Sequence, residues 1–270
     1  ENALELRAER LKQVISQYKP DSIGFQEARY EWMEWLGQNL TDYSYVGVGR
    51  ENGRIDPECG EAAPIFYLKD KFNLLDSGTF WLSETPEIPS IGWDAAYKRI
   101  CTWAVLENKQ TKECYAHINA HLDHIGETAR VEGVKLILDK IDELGATYPI
   151  VCTGDFNANM YSEPYKLMVE HENEDSGVRM ADSLFCAEEV INRGGTMPNL
   201  NVSPSDSERE VDGGFAIDHC FISVNDFNVK LYKVMRDTVD NKYVSDHYGV
   251  YVELTFRQKR EKGQCLDPSI

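Results

Sequence analysis

The sequence predicts a layered α/β or α+β domain in which two packed β-sheets lie between outer helices. Strand-like segments outnumber helical ones, and between residues 43 and 121 they follow one another with little helix between them. That succession fits poorly with a simple βαβαβ repeat. The chain has 270 residues, of which 42% are hydrophobic, so it is long enough and apolar enough to bury a large core.

The N-terminal part of the chain alternates helical and extended segments. Apolar residues at helical spacing predict a first helix that stops before Pro20, and they are Leu4, Ala8, Leu11, Ile15 and Tyr18. Residues 21–27 then form a short strand that ends in the carboxylate of Glu27, and the tryptophans and leucine of residues 32–36 indicate a second helix. Aromatic and β-branched residues predict three strands, at 43–49, 62–68 and 72–82.

The second half of the chain begins with a predicted hairpin, whose strands 99–107 and 113–121 flank a turn at 108–111. A long helix with Gly145 as its C-terminal cap follows, and its apolar stripe is Val131, Val134, Leu138, Ile141 and Leu144. The remaining predicted elements are a buried strand at 149–153, a helix at 163–171, a polar loop at 201–210, and strands near 215–223, 227–236 and 247–256. No linker or fixed-period repeat divides the chain, so we expect one domain over residues 1–270 with a polar tail at 257–270.

Acidic residues dominate the charge, because 46 Asp and Glu against 28 Lys and Arg give a net charge of −18. This balance argues against broad neutralisation of duplex nucleic acid, and it suits a protein that gathers divalent cations. The seven cysteines form no CxxC pair, which argues against a zinc knuckle or a thioredoxin-type site. No apolar run approaches the ~18 residues that a membrane span needs.

Neither the compartment nor the oligomeric state follows from the sequence. An odd number of scattered cysteines favours the cytoplasm, where disulfides are rare. The chain starts at Glu1 without an initiator methionine, as a trimmed or processed chain does, so a secreted or periplasmic location also stays open.

Carboxylates, amides and histidines are concentrated where predicted strands begin or end. The clusters are Phe25-Gln26-Glu27, Asn119-Ala120-His121-Leu122-Asp123-His124, Gly154-Asp155-Phe156-Asn157, Ile217-Asp218-His219 and Ser245-Asp246-His247. Each cluster alone fits an ordinary turn, cap or core residue. Together they supply oxygen and imidazole donors without a thiolate partner, which is typical of a site for Mg²⁺ or Mn²⁺.

The order of these motifs resembles that of the endonuclease/exonuclease/phosphatase superfamily, to which deoxyribonuclease I belongs. The resemblance runs from about residue 7 to residue 256, and residues 77–86, 99–104 and 121–124 are similar to a bacterial branch of unassigned substrate. It implies a four-layer α/β sandwich, with two stacked mixed sheets flanked by helices. The active site is then expected at one end of the sandwich, where strand ends from both sheets meet.

The resemblance also implies how metal and phosphate are held. Glu27 matches the metal-binding glutamate, and Asp246 matches a second acidic residue near the metal. Asp155 and Asn157 match the pair that positions the attacking water and the phosphate, and Asp155 is also expected at the metal. Arg99 resembles a phosphate-contacting arginine, whose planar fork suits such an anion.

Two histidines carry the remaining catalytic roles that the resemblance implies. His247 matches the catalytic histidine, and Asp218 matches the aspartate that orients it. His121 matches the second active-site histidine, with Glu61 as the expected partner. A carboxylate holds an imidazole in one tautomer and stabilises its charged form, so we expect two such dyads to flank the phosphate.

Two features depart from the family pattern. The family opens with a strand that carries an asparagine ligand, whereas this chain begins at the helix that follows it, so we expect that strand to lie upstream of residue 1. Asp218 is followed by His219 where a tyrosine is common. For His219 and the additional His124 we expect surface positions or roles behind the residues that touch the metal, with additional metal contacts as the alternative.

The function implied is hydrolysis of a phosphoester by activated water, dependent on Mg²⁺ or Mn²⁺. A nuclease or phosphodiesterase ranks first, because the bacterial branch is usually described that way. The alternatives are a phosphatase acting on a small phosphorylated molecule, such as an inositol or sugar phosphate, and a non-catalytic binding module on the same fold.

Overall fold

The computed structural model describes residues 4–197 and 216–257. The elements of the first half are α1 (Leu4–Tyr18), β1 (Ser22–Gly24), β2 (Ala28–Arg29), α2 (Tyr30–Asn39), β3 (Tyr43–Val46), β4 (Glu61–Ala62), β5 (Ile65–Leu68), β6 (Phe72–Trp81), β7 (Ile100–Asn108) and β8 (Cys114–His121). The second half contains α3 (Glu127–Gly145), β9 (Ile150–Asp155), α4 (Glu163–Glu170), β10 (Glu172–Asn173), β11 (Val178–Asp182), α5 (Ser183–Cys186), β12 (Ala187–Ile191), β13 (Asp218–Ser223), β14 (Phe227–Met235), β15 (Thr238–Val239), β16 (Lys242–Tyr243) and β17 (Gly249–Phe256). The predicted loop at 201–210 and residues 258–270 of the predicted tail lie outside the described residues.

One large sheet and two smaller ones form the two inner layers. The large sheet has seven strands in the order β10-β11-β13-β9-β8-β7-β6, and its β8–β9 pair is parallel while its other pairs are antiparallel. The two smaller sheets have three strands each, in the orders β12-β14-β17 and β1-β5-β3. The predicted pair of stacked mixed sheets is confirmed, with the second layer divided into two parts.

Strand β7 shows how the layers are held together. Val105 packs among the residues that contact α3 and α4, whereas Ala104 and Leu106 pack against the smaller sheets. This alternation follows from the two-residue period of a strand, which points successive side chains to opposite faces. The large sheet is therefore buried on both faces, as the fourfold layering requires.

The outer helices bury their apolar stripes. Ile137 and Ile141 of α3 lie fully buried on one face of the large sheet. Ile15 of α1 and Met33 and Leu36 of α2 pack with β4 and β5 on the other side of the molecule. The order helix, large sheet, small sheets, helix is the predicted four-layer sandwich.

The boundaries of several elements differ from the predictions. The predicted strand 62–68 is interrupted by Pro64, which has no N–H to donate to a ladder, and becomes β4 and β5. The segment β11–α5–β12 was not predicted. Its last strand, β12, is mostly exposed and therefore lacks the alternating apolar pattern that makes a strand visible in a sequence.

A cavity of about 1210 Å³ lies between the smaller sheets and reaches the end of the sandwich. Residues of β1 and β17 line it, and in the described chain each of these strands pairs on one side only, with β5 and β14 respectively. The strand expected upstream of residue 1 remains a prediction.

The described helices and thiols give two further findings. Within residues 4–197 and 216–257 no helix combines the length and apolar character that crossing a bilayer requires. The six cysteines in this part of the chain are free thiols, and Cys59, Cys101, Cys152 and Cys220 are buried.

Candidate active site

Three of the predicted site residues form one row across the large sheet. Asp155, at the end of β9, pairs with His121 at the end of the parallel strand β8 and with Asp218 at the start of the antiparallel strand β13. Parallel strands end at the same edge of a sheet, and an antiparallel neighbour begins there. Strand register alone therefore brings together residues that are far apart in the sequence.

Gly154 makes this row possible, because β8 and β9 approach each other closely just before Asp155. A Cβ at Gly154 would lie 2.1 Å from the carbonyl oxygen of Ala120, and the φ of Gly154 is +157°. After the strand, Asn157 has a φ of +45°, and its backbone N–H donates to Oδ1 of Asp155 over 2.8 Å. The turn thus fixes the orientation of the Asp155 carboxylate.

Glu27 reaches the same end of the sandwich from β1. A Cβ at Gly24 would lie 2.3 Å from Oδ1 of Asn119, so only glycine permits β1 to pass this close to the large sheet. Beyond it, Gln26 turns inward and donates to Asn119 Oδ1 over 2.7 Å. Glu27 has a φ of +57°, a rare conformation for a residue with a side chain, and it is exposed at the mouth of the cavity.

His247 and Asp218 form the first predicted dyad. Their Nδ1 and Oδ2 atoms are 2.9 Å apart, and the two side chains are 26% and 13% exposed. Burial opposes protonation of His247, but the hydrogen bond and charge of Asp218, with the charges of Asp155 and Asp246, raise its pKa to about 9. At neutral pH this imidazole is therefore cationic.

The acidic residues at this end meet the requirements of a hard divalent cation. In the described part of the chain, the group of three whose donor atoms all lie within 4.8 Å of one another is Asp155, Asp218 and His247. Burial and the charge of Asp218 raise the pKa of Asp155. Partial desolvation and the charges of Glu61 and Asp246 raise the pKa of Glu27.

A cation would relieve the repulsion that raises both carboxyl pKa values. The available donors are carboxylate oxygens, because the protonated imidazole of His247 has no lone pair to offer, and oxygen donors fit Mg²⁺ or Mn²⁺. The predicted ligands Glu27, Asp246 and Asp155 face the same cavity but do not form the tightest donor group. Their assignment as metal ligands stays a prediction.

Arg99 lies beside the second histidine, His121. Its Nη1 is 3.0 Å from His121 Nε2, its Nη2 is 3.1 Å from His124 Nδ1, and its Nε contacts Asp123 over 3.3 Å. Burial, with the charges of Arg99 and Arg50, holds the pKa of His121 well below its usual range. His121 is therefore neutral, and its Nε2 accepts the hydrogen bond from Arg99.

The predicted pairing of Glu61 with His121 is wrong. Glu61 Oε2 accepts from Arg50 Nη1 over 2.6 Å, and Oε1 contacts Arg29 Nη2 over 3.5 Å. The carboxylate closest to His121 Nε2 is instead Oδ2 of Asp155, at 3.4 Å. A fully charged guanidinium attracts a carboxylate more strongly than a neutral imidazole does, which explains the exchange of partners.

The two histidines that depart from the family pattern have different positions. His219 is buried among aromatic rings and bonds through Nε2 to the carbonyl oxygen of Ala158 over 2.8 Å, so it belongs to the core. His124 stacks on Tyr97 with a centroid distance of 5.8 Å and contacts Arg99, the arginine that also bonds to His121. The Asn157 side chain donates to the Leu122 carbonyl oxygen over 3.0 Å.

Sequence reasoning missed Arg50 and Tyr97, which both lie in this region. The Arg50 guanidinium carbon is 5.0 Å from the centroid of the Tyr97 ring. Arg50 follows the predicted strand 43–49 directly, so its place at a strand end was a usable signal. Tyr97 stands in a loop with no periodic pattern, and only the structure brings it to the site.

The family model described as the endonuclease/exonuclease/phosphatase family matches residues 2–247. Since this match covers most of the chain, the protein belongs to that family of metal-dependent phosphoester hydrolases, as the fold and the row of site residues also indicate.

Three similar proteins extend this finding. A mannosyl-6-phosphatase from Bacteroides thetaiotaomicron is 35% identical, with 94% of this chain and 92% of that chain covered and a TM-score of 0.83. A family member from Bacteroides vulgatus is 33% identical, with 95% and 92% covered and a TM-score of 0.84. A protein of Acanthamoeba polyphaga mimivirus is 27% identical, in an alignment that covers 92% of this chain and 91% of that protein.

Proposed function

We propose that this phosphoester hydrolase is a divalent-metal-dependent phosphatase that removes the terminal phosphate from a phosphorylated sugar. The observation that carries the proposal is the 35% identity, across 94% of the chain, to a mannosyl-6-phosphatase. This similarity favours the phosphatase alternative over the nuclease or phosphodiesterase that ranked first from the sequence.

The reaction consumes one water. The water oxygen bonds to phosphorus, the bond between phosphorus and the sugar oxygen breaks, and the sugar oxygen gains a proton. Asp155 lies between His121 and Asp218 in the row of site residues, so its carboxylate is positioned to accept a proton from a water bound at this end of the sandwich. His247, kept cationic by Asp218, is suited to stabilise the phosphoryl oxygens or to donate a proton to the leaving oxygen.

The remaining side chains hold the phosphate. Asp123 fixes the guanidinium of Arg99. Burial opposes ionisation of Asp123, but the backbone N–H groups of Gly126, Ala96 and Ile125 hold the pKa of its carboxyl well below the usual range. Glu27, Asp155 and Asp246 are the side chains proposed to hold the cation. When bound, Mg²⁺ or Mn²⁺ would neutralise phosphate charge and stabilise the negative charge that builds up in the transition state.

A non-catalytic binding module is the remaining alternative. Such a protein is expected to lose members of the catalytic set. Here His121, Asp155, Asp218 and His247 are all present and their side chains lie at one end of the sandwich. This supports an enzyme.

The test is phosphate release from a panel of substrates in the presence of Mg²⁺ or Mn²⁺. The panel contains mannose 6-phosphate, glucose 6-phosphate, an inositol phosphate, bis(p-nitrophenyl) phosphate, single-stranded DNA and RNA. The His247→Ala variant is the blank, and a chelator provides the metal-free control. We expect sugar phosphates to be hydrolysed with the highest kcat/KM, and activity to vanish in the variant and with the chelator.

Preferential cleavage of nucleic acid or of the diester would overturn the proposal and restore the nuclease or phosphodiesterase. Activity that survives in His247→Ala would refute the role of that histidine. No turnover of any substrate by a protein that binds Mg²⁺ would refute the sugar phosphatase.

A further inference from the structure

Two arginines lie against the ring of one aromatic residue beside His121. The guanidinium carbons of Arg50 and Arg99 lie 5.0 and 6.0 Å from the centroid of one ring, that of Tyr97. Arg99 also bonds directly to His121. In a chain with a net charge of −18, two cations on one ring, each acting electrostatically on the other, require an explanation.

Each of these arginines is held by one carboxylate. The Arg50 Nη1–Glu61 Oε2 distance is 2.6 Å and the Arg99 Nε–Asp123 Oδ2 distance is 3.3 Å. The four side chains are between 1% and 14% exposed. Pairs this well shielded hold the guanidinium planes in fixed orientations. Nη1 and Nη2 of Arg99 contact His121 and His124, and each of these nitrogens carries a second N–H that can donate to a ligand.

The hydrogen-bonding capacity of Arg50 is not used up. Its Nε is buried and makes no hydrogen bond, and the nearest oxygen of Glu51 is 3.7 Å away. A buried donor without an acceptor costs about 1–3 kcal/mol, so it marks a position where a partner is missing. The proximity of Arg50 and Arg99 adds mutual repulsion. An anion between them would offset both costs.

We propose that Arg50 and Arg99 form a two-arginine clamp for a terminal phosphate dianion, and that Glu61 is the positioning residue for Arg50. The inference rests on the proposed phosphatase and specifies which phosphoesters it takes. A phosphomonoester carries a charge of about −1.5 to −2 at pH 7 and presents three terminal oxygens, whereas a diester carries about −1 and presents two. Two guanidinium groups match the monoester.

The test compares Arg50→Gln with the wild type on two substrates, p-nitrophenyl phosphate and bis(p-nitrophenyl) phosphate. We expect kcat/KM for the monoester to fall about 100-fold, the usual effect of removing one charge-stabilising donor, and kcat/KM for the diester to fall less than about tenfold. The matched control is Arg29→Gln, which removes another arginine that contacts Glu61 but whose side chain is 71% exposed. It should leave both rates unchanged.

A binding measurement separates this inference from the proposed activity. Titration calorimetry with inorganic phosphate in the presence of Mg²⁺ needs no turnover, and Arg50→Gln should weaken phosphate binding while Arg29→Gln should not. If no monoester is hydrolysed but Arg50→Gln still weakens phosphate binding, the proposed function fails and the clamp stands. If monoesters are hydrolysed and Arg50→Gln changes neither phosphate affinity nor the ratio of monoester to diester rates, the clamp is refuted.

The double variant Arg50→Gln/Glu61→Gln guards against misfolding, since Arg50→Gln alone leaves the Glu61 carboxylate half-buried without its main partner. Because Glu61 acts through Arg50, we expect the double variant to bind phosphate as weakly as Arg50→Gln. A further loss in the double variant would refute the positioning role, because Glu61 would then act on the ligand independently.

Discussion

The Asp218→Asn substitution tests the central dyad of the site. Asparagine preserves the size of the side chain and still accepts a hydrogen bond from His247 Nδ1. In the unsubstituted protein this nitrogen is 2.9 Å from Asp218 Oδ2. It removes the negative charge that stabilises the imidazolium. The effect is therefore electrostatic, with little loss of packing.

The magnitude follows from the pKa of His247. Its neighbours raise that pKa to about 9 from an ordinary value of 6.5, even though burial opposes protonation. This increase in the pKa corresponds to a stabilisation of the protonated imidazole by roughly 3 kcal/mol, and Asp218 makes the largest favourable contribution. If the cationic imidazole acts in the transition state, kcat should fall by up to about 100-fold.

The assay is steady-state phosphate release from the best substrate of the panel, with kcat and KM determined separately. We expect kcat to fall and KM to change little, because the charge is needed in the transition state. The matched control is Asp142→Asn, which alters an aspartate–histidine pair outside the site. In that pair Asp142 Oδ1 is 2.8 Å from His171 Nε2. A wild-type kcat in Asp218→Asn would refute the reasoning, as would an equal loss in Asp142→Asn.

Three further predictions concern stability and metal dependence. Burial lowers the pKa of His117 to about 4, so the unfolded chain binds a proton more readily than the folded chain. The free energy of unfolding should therefore fall by up to about 3 kcal/mol as the pH drops from 6.5 towards 4. Denaturant titrations of His117→Gln should lack that part of the pH dependence. Gly154→Ala should destabilise the protein by at least about 2 kcal/mol, because the new Cβ would lie 2.1 Å from the Ala120 carbonyl oxygen. The control Gly177→Ala, whose Cβ would have nothing within 4 Å, should cost only about 1 kcal/mol. Equal shifts of the two melting temperatures would contradict the argument from close approach. Glu27→Gln should raise the Mg²⁺ concentration needed for half-maximal activity at least about tenfold without lowering the melting temperature of the metal-free protein, and an unchanged Mg²⁺ requirement would exclude Glu27 as a ligand.

The layers of the fold were largely predictable because their signals are local. The hairpin of β7 and β8 and the long helix α3 follow from apolar periods and from turn residues that lie within a few positions of one another. The mostly exposed strand β12 escaped prediction because neither face of it carries a continuous apolar pattern. Periodicity reports burial, and where burial is slight the signal disappears.

The site was predictable to a different degree. The chemical types of its donors, and their positions at strand ends, are properties of the sequence, and these were sufficient to expect an oxygen-rich cation site. The pairing of His247 with Asp218 was implied by the resemblance to the family. The pairing of Asp218 with Asp155 across β13 and β9 depends on strand register, which is set by packing of the whole sheet.

The partner of Glu61 illustrates what depends on the tertiary structure alone. The resemblance to the family implied His121 as its partner. The folded chain presents Arg50 at 2.6 Å instead, and Arg99 takes the place beside His121 at 3.0 Å. The sequence thus specifies which groups are available for catalysis. The distances between these groups, and hence which charge each one meets, arise only when distant strands are packed into one sandwich. Distance decides the pairing because electrostatic and hydrogen-bond energies depend on separations of a few ångströms.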